Sequence, residues 1–296
     1  MDAFKDRIIQ EWGGVNFSFF NESIWSSSLQ QKDLARVRGF LINSGISNVD
    51  ISLVIPPDSS TSRQRWSKYY DPSGQCVSSL VEEPIPGGSN NIKFTFCYSS
   101  VEDRQDGQTQ ELHTVNILRL IFGVPIAREL LLTRSFSNNT CQPISHSEKG
   151  FASYFDTQNL NFFNDPDIEK ARIRQLPPES TILLDKAFSQ IFPIERFVLM
   201  WSAFEAVISS LPIPGNNGDK RKKYFNNELG SQIINNEVFR LHRIRCDIFK
   251  EGKFSGDQIE KDCWSLYAAL QLAILEDSEQ RQAFTRGYEK ALSSDD

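Results

Sequence analysis

The chain has 296 residues, 39% hydrophobic and 24% charged, a globular composition that excludes a disordered or fibrous protein. Its 32 Lys and Arg against 38 Asp and Glu give a net charge of −6, so no overall field attracts polyanions and any nucleic-acid contact needs a local basic patch. Five cysteines, Cys76, Cys97, Cys141, Cys246 and Cys263, are odd in number and scattered, which indicates neither a disulfide framework nor a zinc site.

Met1–Trp12 is charged and amphipathic without a long apolar core, so it does not read as a signal peptide. Val15–Phe20 is the first candidate strand. Val49, Ile51, Leu53 and Ile55 alternate with polar residues and predict a second, which Pro56-Pro57 ends. Ile92, Phe94, Phe96 and Tyr98 alternate with Lys93, Thr95, Cys97 and Ser99 and predict a third with one apolar face. Loops are expected at Pro56–Arg63 and Pro84–Asn91, and a polar surface turn at Asp103–Gln110. From Glu111 to Leu132 the pattern is helical or ambiguous. The apolar run Ile117–Leu132 is broken by Arg119, Pro125, Arg128 and Glu129, which argues against a membrane span. Residues 1–145 thus read as a mixed, strand-rich N-terminal domain with no motif that assigns it a task.

Ser135–Ser147 and Gln158–Asp167 are polar and Asn-rich and predict irregular chain, making residues 146–177 a linker region. From Pro178 the pattern is helical. One segment holds Ile182, Leu183, Ala187, Phe188 and Ile191, and Pro193 fits the first turn of a second helix over Ile194–Ser210. Leu211-Pro-Ile-Pro-Gly-Asn-Asn-Gly218 stops that helix. Further helices are predicted over Ile233–Lys250, Gly256–Leu275 and Ser278–Leu292. Residues 178–296 therefore read as an all-α bundle of four or five helices, with Trp201, Phe204, Ile244 and Ile248 in its core. The fold class is α+β.

The candidate site residues lie in this bundle. Glu205 is the lone charge in the apolar run Phe197–Ile208, so it needs a cation or hydrogen-bond donors. Lys220, Arg221, Lys222 and Lys223 form a basic run followed by Tyr224-Phe225, which suits either phosphate contacts or a solvated loop. Arg240, His242 and Arg243 add charge beside Arg245. On an ideal helix Leu241, Ile244 and Ile248 form the buried stripe with Arg245 at its edge, and Lys250 falls opposite Leu241. His113 and His146 lack metal or triad spacing, and no Gly-rich phosphate loop is present, so no metal or cofactor is expected.

Leu241-His-Arg-Ile-Arg-Cys-Asp-Ile-Phe-Lys-Glu-Gly-Lys253 resembles the signature helix of HEPN domains, in particular the Apea-like branch. That branch typically carries an Arg-Cys-Asn-Leu-Phe-His-Gly run in which an Arg-x4-His pair cuts RNA. Arg245, Cys246, Phe249 and Gly252 fit, Asp247 replaces Asn, and Lys250 stands where the catalytic His is expected. Arg196-Phe-Val-Leu-Met-Trp-Ser-Ala-Phe-Glu-Ala-Val-Ile208 is similar to another helix of the family, and Tyr267–Leu275 fits its closing helix. The resemblance implies a homodimer with the Arg245 helices near the two-fold axis and a role in antiviral defence or a toxin–antitoxin pair. It also implies that Glu205 orients Arg245. The broken apolar run, the scattered cysteines and the character of Met1–Trp12 read as a cytoplasmic protein with no membrane.

The loss of His matters chemically. About one lysine in a few thousand is neutral at pH 7, a deficit of about 4 kcal/mol in available base relative to histidine. As a cation, however, Lys250 still binds phosphate, as Arg245 does. The expectation is a catalytically degenerate domain that binds RNA or a partner protein. The alternatives are a metal-independent endoribonuclease using Arg245 with Lys250 or His242, and a structural dimerisation or adaptor module.

Overall fold

The chain is α+β, with strands in its N-terminal half and helices dominating its C-terminal half. The computed structural model describes residues 17–54, 62–70, 76–84, 91–137, 141–142 and 167–294. It divides into two compact units: Met1–Glu111 with Pro125–Gly150, and Leu112–Val124 with Phe151–Asp296.

In the first unit the strands Phe19–Ser26 (β1), Val49–Val54 (β2), Asn91–Tyr98 (β5), Leu130–Ser137 (β6) and Cys141–Gln142 (β7) form one antiparallel sheet. Its order is β2-β5-β1-β6-β7. Ser62–Tyr70 (β3) and Cys76–Pro84 (β4) pair with each other. The alternation at residues 92–98 places Ile92, Phe94, Phe96 and Tyr98 in the core. Thr95 and Cys97, on the opposite face of the interior strand β5, are buried as well. Helix Leu34–Asn43 (α1), which the sequence reading passed over, buries Leu34, Val37, Phe40 and Leu41 on one face.

Three local expectations are corrected. The strand expected at Val15–Phe20 runs over Phe19–Ser26, with Val15 and Asn16 outside the described residues. Asp103–Gln110 is not a turn but helix Val101–Asp106 (α2) and the start of Gln108–Phe122 (α3). Its polarity is that of an exposed helix start: Ser100 caps the Asp103 amide, and Glu102 and Asp103 sit in the first turn, where the helix dipole favours them. Ser135–Ser137, expected to be irregular, finish β6.

Among the described residues, the second unit holds residues 112–122 of α3 and five helices of 11 to 20 residues: Pro178–Phe188 (α4), Pro193–Ser210 (α5), Gln232–Glu251 (α7), Gly256–Ile274 (α8) and Ser278–Ser294 (α9). A six-residue helix, Asn217–Lys222 (α6), continues into a π-helical turn at Lys223–Glu228. Prolines at the first positions of α4 and α5 set their starts, as predicted. Phe197, Met200, Trp201, Phe204 and Val207 of α5 are buried, as are Leu266, Tyr267 and Leu270 of α8. Among the described residues no helix is long and apolar enough to cross a membrane.

Two further corrections concern this unit. Residues 167–177 are no mere linker. Ile168, Ala171 and Leu176 are buried, and Ile173 bridges Leu275, with the Arg174 amide donating to the Ile274 carbonyl at 2.7 Å. Trp201 and Phe204 are core residues as expected, but Ile244 and Ile248 are only half-buried. The first half of α7 buries Ile234, Glu237, Val238 and Leu241. From Arg243 to Glu251 no side chain is fully buried, because that half of the helix is covered on a narrower side.

Candidate nucleic-acid interface

The C-terminal end of α5, the loop before α6, and α7 enclose a half-open cleft of about 540 Å³. Trp201, Ser202 and Glu205 come from α5, Asn216, Asn217, Gly218 and Arg221 from the α6 region, and His242 and Arg245 from α7. Four side chains singled out from sequence, Glu205, Arg221, His242 and Arg245, therefore meet in one place.

Local chemistry explains how each is held. Gly215 turns the chain at φ +120°, where a Cβ would lie 2.8 Å from that of Asp219. Asn216 then caps α6, its Oδ1 accepting from the Asp219 amide at 3.1 Å. This aims Arg221 back at α5, where its Nη1 donates to Glu205 Oε1. Asn217 Nδ2 donates to Glu205 Oε2 at 2.7 Å. Trp201, buried beneath, carries the Arg221 guanidinium 5.5 Å from its ring centroid and the His242 ring at 5.8 Å.

Glu205 was expected to orient Arg245. Its partner is instead Arg221, because α6 folds the basic run back over the end of α5. Arg245 is half-buried at the cleft edge, its Cζ 4.7 Å from the Phe249 ring centroid one helical turn on. Among the described residues no carboxylate lies within ion-pair distance of it.

The rest of the basic run is dispersed. Lys220 Nζ donates to the carbonyls of Ser209 and Leu211, the latter at 3.0 Å, and so ties down the end of α5. Lys223 Nζ donates to the Pro214 carbonyl at 2.8 Å. Lys222 is exposed, and Lys250 is exposed on the outer side of α7, where the wheel put it. Arg243 is exposed too, 4.7 Å from the Phe239 ring centroid.

His242 holds its proton weakly. Burial depresses its pKa below the ordinary value, and the positive charges of Arg221, Arg245 and Lys250 push the same way against Glu205. Its Nε2 lies 3.8 Å from Cys246 Sγ. At neutral pH the cleft thus offers two guanidiniums, one carboxylate already engaged with Arg221, and a neutral imidazole.

Asn216, Asn217, Gly218 and Ser202 complete the cleft and were missed from sequence as site residues, and Trp201 was expected only as a core residue. Asn216 carried a signal, an N-cap residue just ahead of a charged helical run. The seating of Arg221 and His242 on Trp201 carried none.

Comparison with family models, curated proteins and solved structures gives no match.

Proposed function

We propose that the helical unit is a HEPN-like module that holds RNA by its phosphates and has lost the family's usual cutting chemistry. The observation that carries this reading is the meeting of Arg221, His242 and Arg245 in one cleft, with a single carboxylate among them. Guanidinium suits phosphate because its planar fork donates two parallel hydrogen bonds and stays charged. Against a chain charge of −6, a cleft of net positive charge is where a polyanion would settle. The sequence resemblance around Arg245 supports RNA as the polyanion and a defence or toxin–antitoxin setting. Lys250 contributes only a distant positive charge from outside the cleft.

The test is fluorescence anisotropy with labelled single-stranded RNA across a salt series. Wild type should bind with clear salt sensitivity. Arg245→Ala should weaken binding across sequences and lower the salt slope by about one. Salt-insensitive binding, or binding indifferent to Arg245→Ala, would remove the cleft from the account.

One observation favours a second reading, slow cleavage without metal. A neutral His242 beside Arg245 is a competent base. In that reaction His242 takes the 2′-hydroxyl proton and the freed oxygen attacks the adjacent phosphorus. The 5′-oxygen leaves with a proton returned from the imidazolium, while Arg245 balances charge on the phosphoryl oxygens. Incubating RNA with chelator present decides the matter. Holding without cutting gives intact RNA, whereas cleavage lost in both His242→Ala and Arg245→Ala would make the protein a ribonuclease.

A further inference from the structure

Alongside the cleft, α7 exposes four side chains the cleft does not use: Phe239, Arg243, Phe249 and Lys250. Phe239 and Phe249 are 54% and 57% exposed, although burying a phenylalanine would stabilise the fold. Each is paired with an arginine one turn away: Arg243 Cζ is 4.7 Å from the Phe239 ring centroid and Arg245 Cζ 4.7 Å from that of Phe249. At about 100° per residue, Arg245, Phe249, His242, Cys246, Phe239, Lys250 and Arg243 fall within an arc of about 160°. The helix's carboxylates, Glu237, Asp247 and Glu251, fall outside it. Arg245, at one edge of the arc, and His242, about 60° further in, also line the cleft.

We infer that this face of α7 is a stacking track for unpaired RNA, continuous with the phosphate-binding cleft, in which Phe239 and Phe249 each receive a base. The inference rests on the RNA-holding reading above and adds which form of RNA is held. Aromatic faces spaced along a cationic strip suit a single strand, because its bases are free to leave their own stack and every base has a face to offer. A duplex keeps its bases stacked inside and presents only phosphate and sugar edges, for which two phenylalanines are the wrong chemistry. The two rings are ten residues apart, about 15 Å along the helix axis, so one short strand can touch both. Arg243 and Arg245, already lying over the rings, can turn to phosphate as the base arrives, and Lys250 lies between them on the same arc. Charge complementarity favours this occupant over an acid-poor protein surface. The face is cationic and free of carboxylates on a chain that is otherwise net negative.

The experiment compares wild type, Arg245→Ala and the double variant Phe239→Leu/Phe249→Leu for binding to a 12-nucleotide uridine strand, an RNA duplex and inorganic polyphosphate. Both phenylalanines are exposed, so leucine should leave helicity and the unfolding midpoint unchanged. The double variant should bind the uridine strand at least about tenfold more weakly. It should bind polyphosphate and duplex within about twofold of wild type. Equal losses on all three ligands would overturn the track. So would unchanged single-strand affinity in the double variant; if Arg245→Ala still weakened that binding, the cleft reading would survive alone. Failure of wild type to bind any RNA would remove both. If the double variant dissociates a dimer without altering RNA affinity, the face belongs to a second copy and the inference is wrong. Photocrosslinking wild type with 4-thiouridine supplies a measurement free of any variant. Adducts are expected within residues 239–250, and adducts confined elsewhere would overturn the track.

Discussion

Glu205 is an anion already seated on Arg221, and any phosphate entering the cleft must compete with it. Glu205→Gln should therefore raise RNA affinity roughly fivefold at low salt, the gain shrinking as salt screens the cleft. A loss of affinity instead would mean that the carboxylate chiefly holds Arg221 in its working position. Titrations separate cleft from core. His113 is buried, and desolvation brings its pKa down to about 4 from an ordinary 6.5. The unfolded chain then takes up the proton first, so His113 costs nothing above about pH 7.5 and destabilises the fold progressively as pH falls through 6.5 toward 4. By pH 5 the loss from this group is about 2 kcal/mol. Urea unfolding of wild type and His113→Leu between pH 7.5 and 5 should give curves that converge at neutral pH and separate in acid.

At the scale of elements, α7 carries both the cleft edge and the outward face, and its two ends fix where those residues point. Ser231 Oγ accepts from the Ile234 amide at 3.1 Å and donates to Glu289 on α9, so one hydroxyl starts the helix and ties it to its neighbour. Gly252 ends it at φ +65°, ψ 18°, its amide donating to the Ile248 carbonyl at 3.0 Å. Ser231→Ala should cost about 1–2 kcal/mol in urea unfolding. Gly252→Ala should cost about 1 kcal/mol, since a methyl there meets no atom within 4 Å and only the left-handed backbone resists it. A Gly252→Ala penalty well above that would mean that the chain beyond the helix is held by contacts which the new backbone disturbs.

The helical unit is discontinuous in sequence, which sets an expectation for the whole molecule. Residues 112–124 supply Asn116, whose Nδ2 donates to the Thr181 carbonyl at 2.7 Å, and Arg119, paired to Asp185 at 3.0 Å. The Tyr267 hydroxyl donates to the Arg119 carbonyl, and Gln271 Nε2 to the Leu120 carbonyl at 2.6 Å. A fragment of residues 178–296, the boundary drawn from sequence, lacks all four partners and the buried side chains of Val115, Ile117, Leu118 and Ile121. It should lose its cooperative thermal transition by circular dichroism. Cooperative unfolding of that fragment near the full-length midpoint would show that the bundle closes its core without the segment.

Sequence alone determined the elements whose signals are local. Proline at a first turn, glycine at a C-cap and apolar spacing at period 3.6 placed α5, α7, α8 and α9 to within a residue or two and fixed the start of α4, whose segment was read on to Ile191, three residues past its end. Period-two alternation placed β2 and β5. These effects act over one or two turns or pleats, so a short window contains them. The tertiary structure decided what depends on partners distant in the chain. It gave residues 112–124 to the helical unit, where their apolar side chains and carbonyls find α4 and α8. It left Ile244 and Ile248 half-covered, because burial follows from what packs on a stripe and not from the stripe. The sequence pointed Glu205 at Arg245, and the structure pairs it with Arg221. Only the turn at Gly215 and the cap at Asn216, which fold α6 back over α5, chose between them.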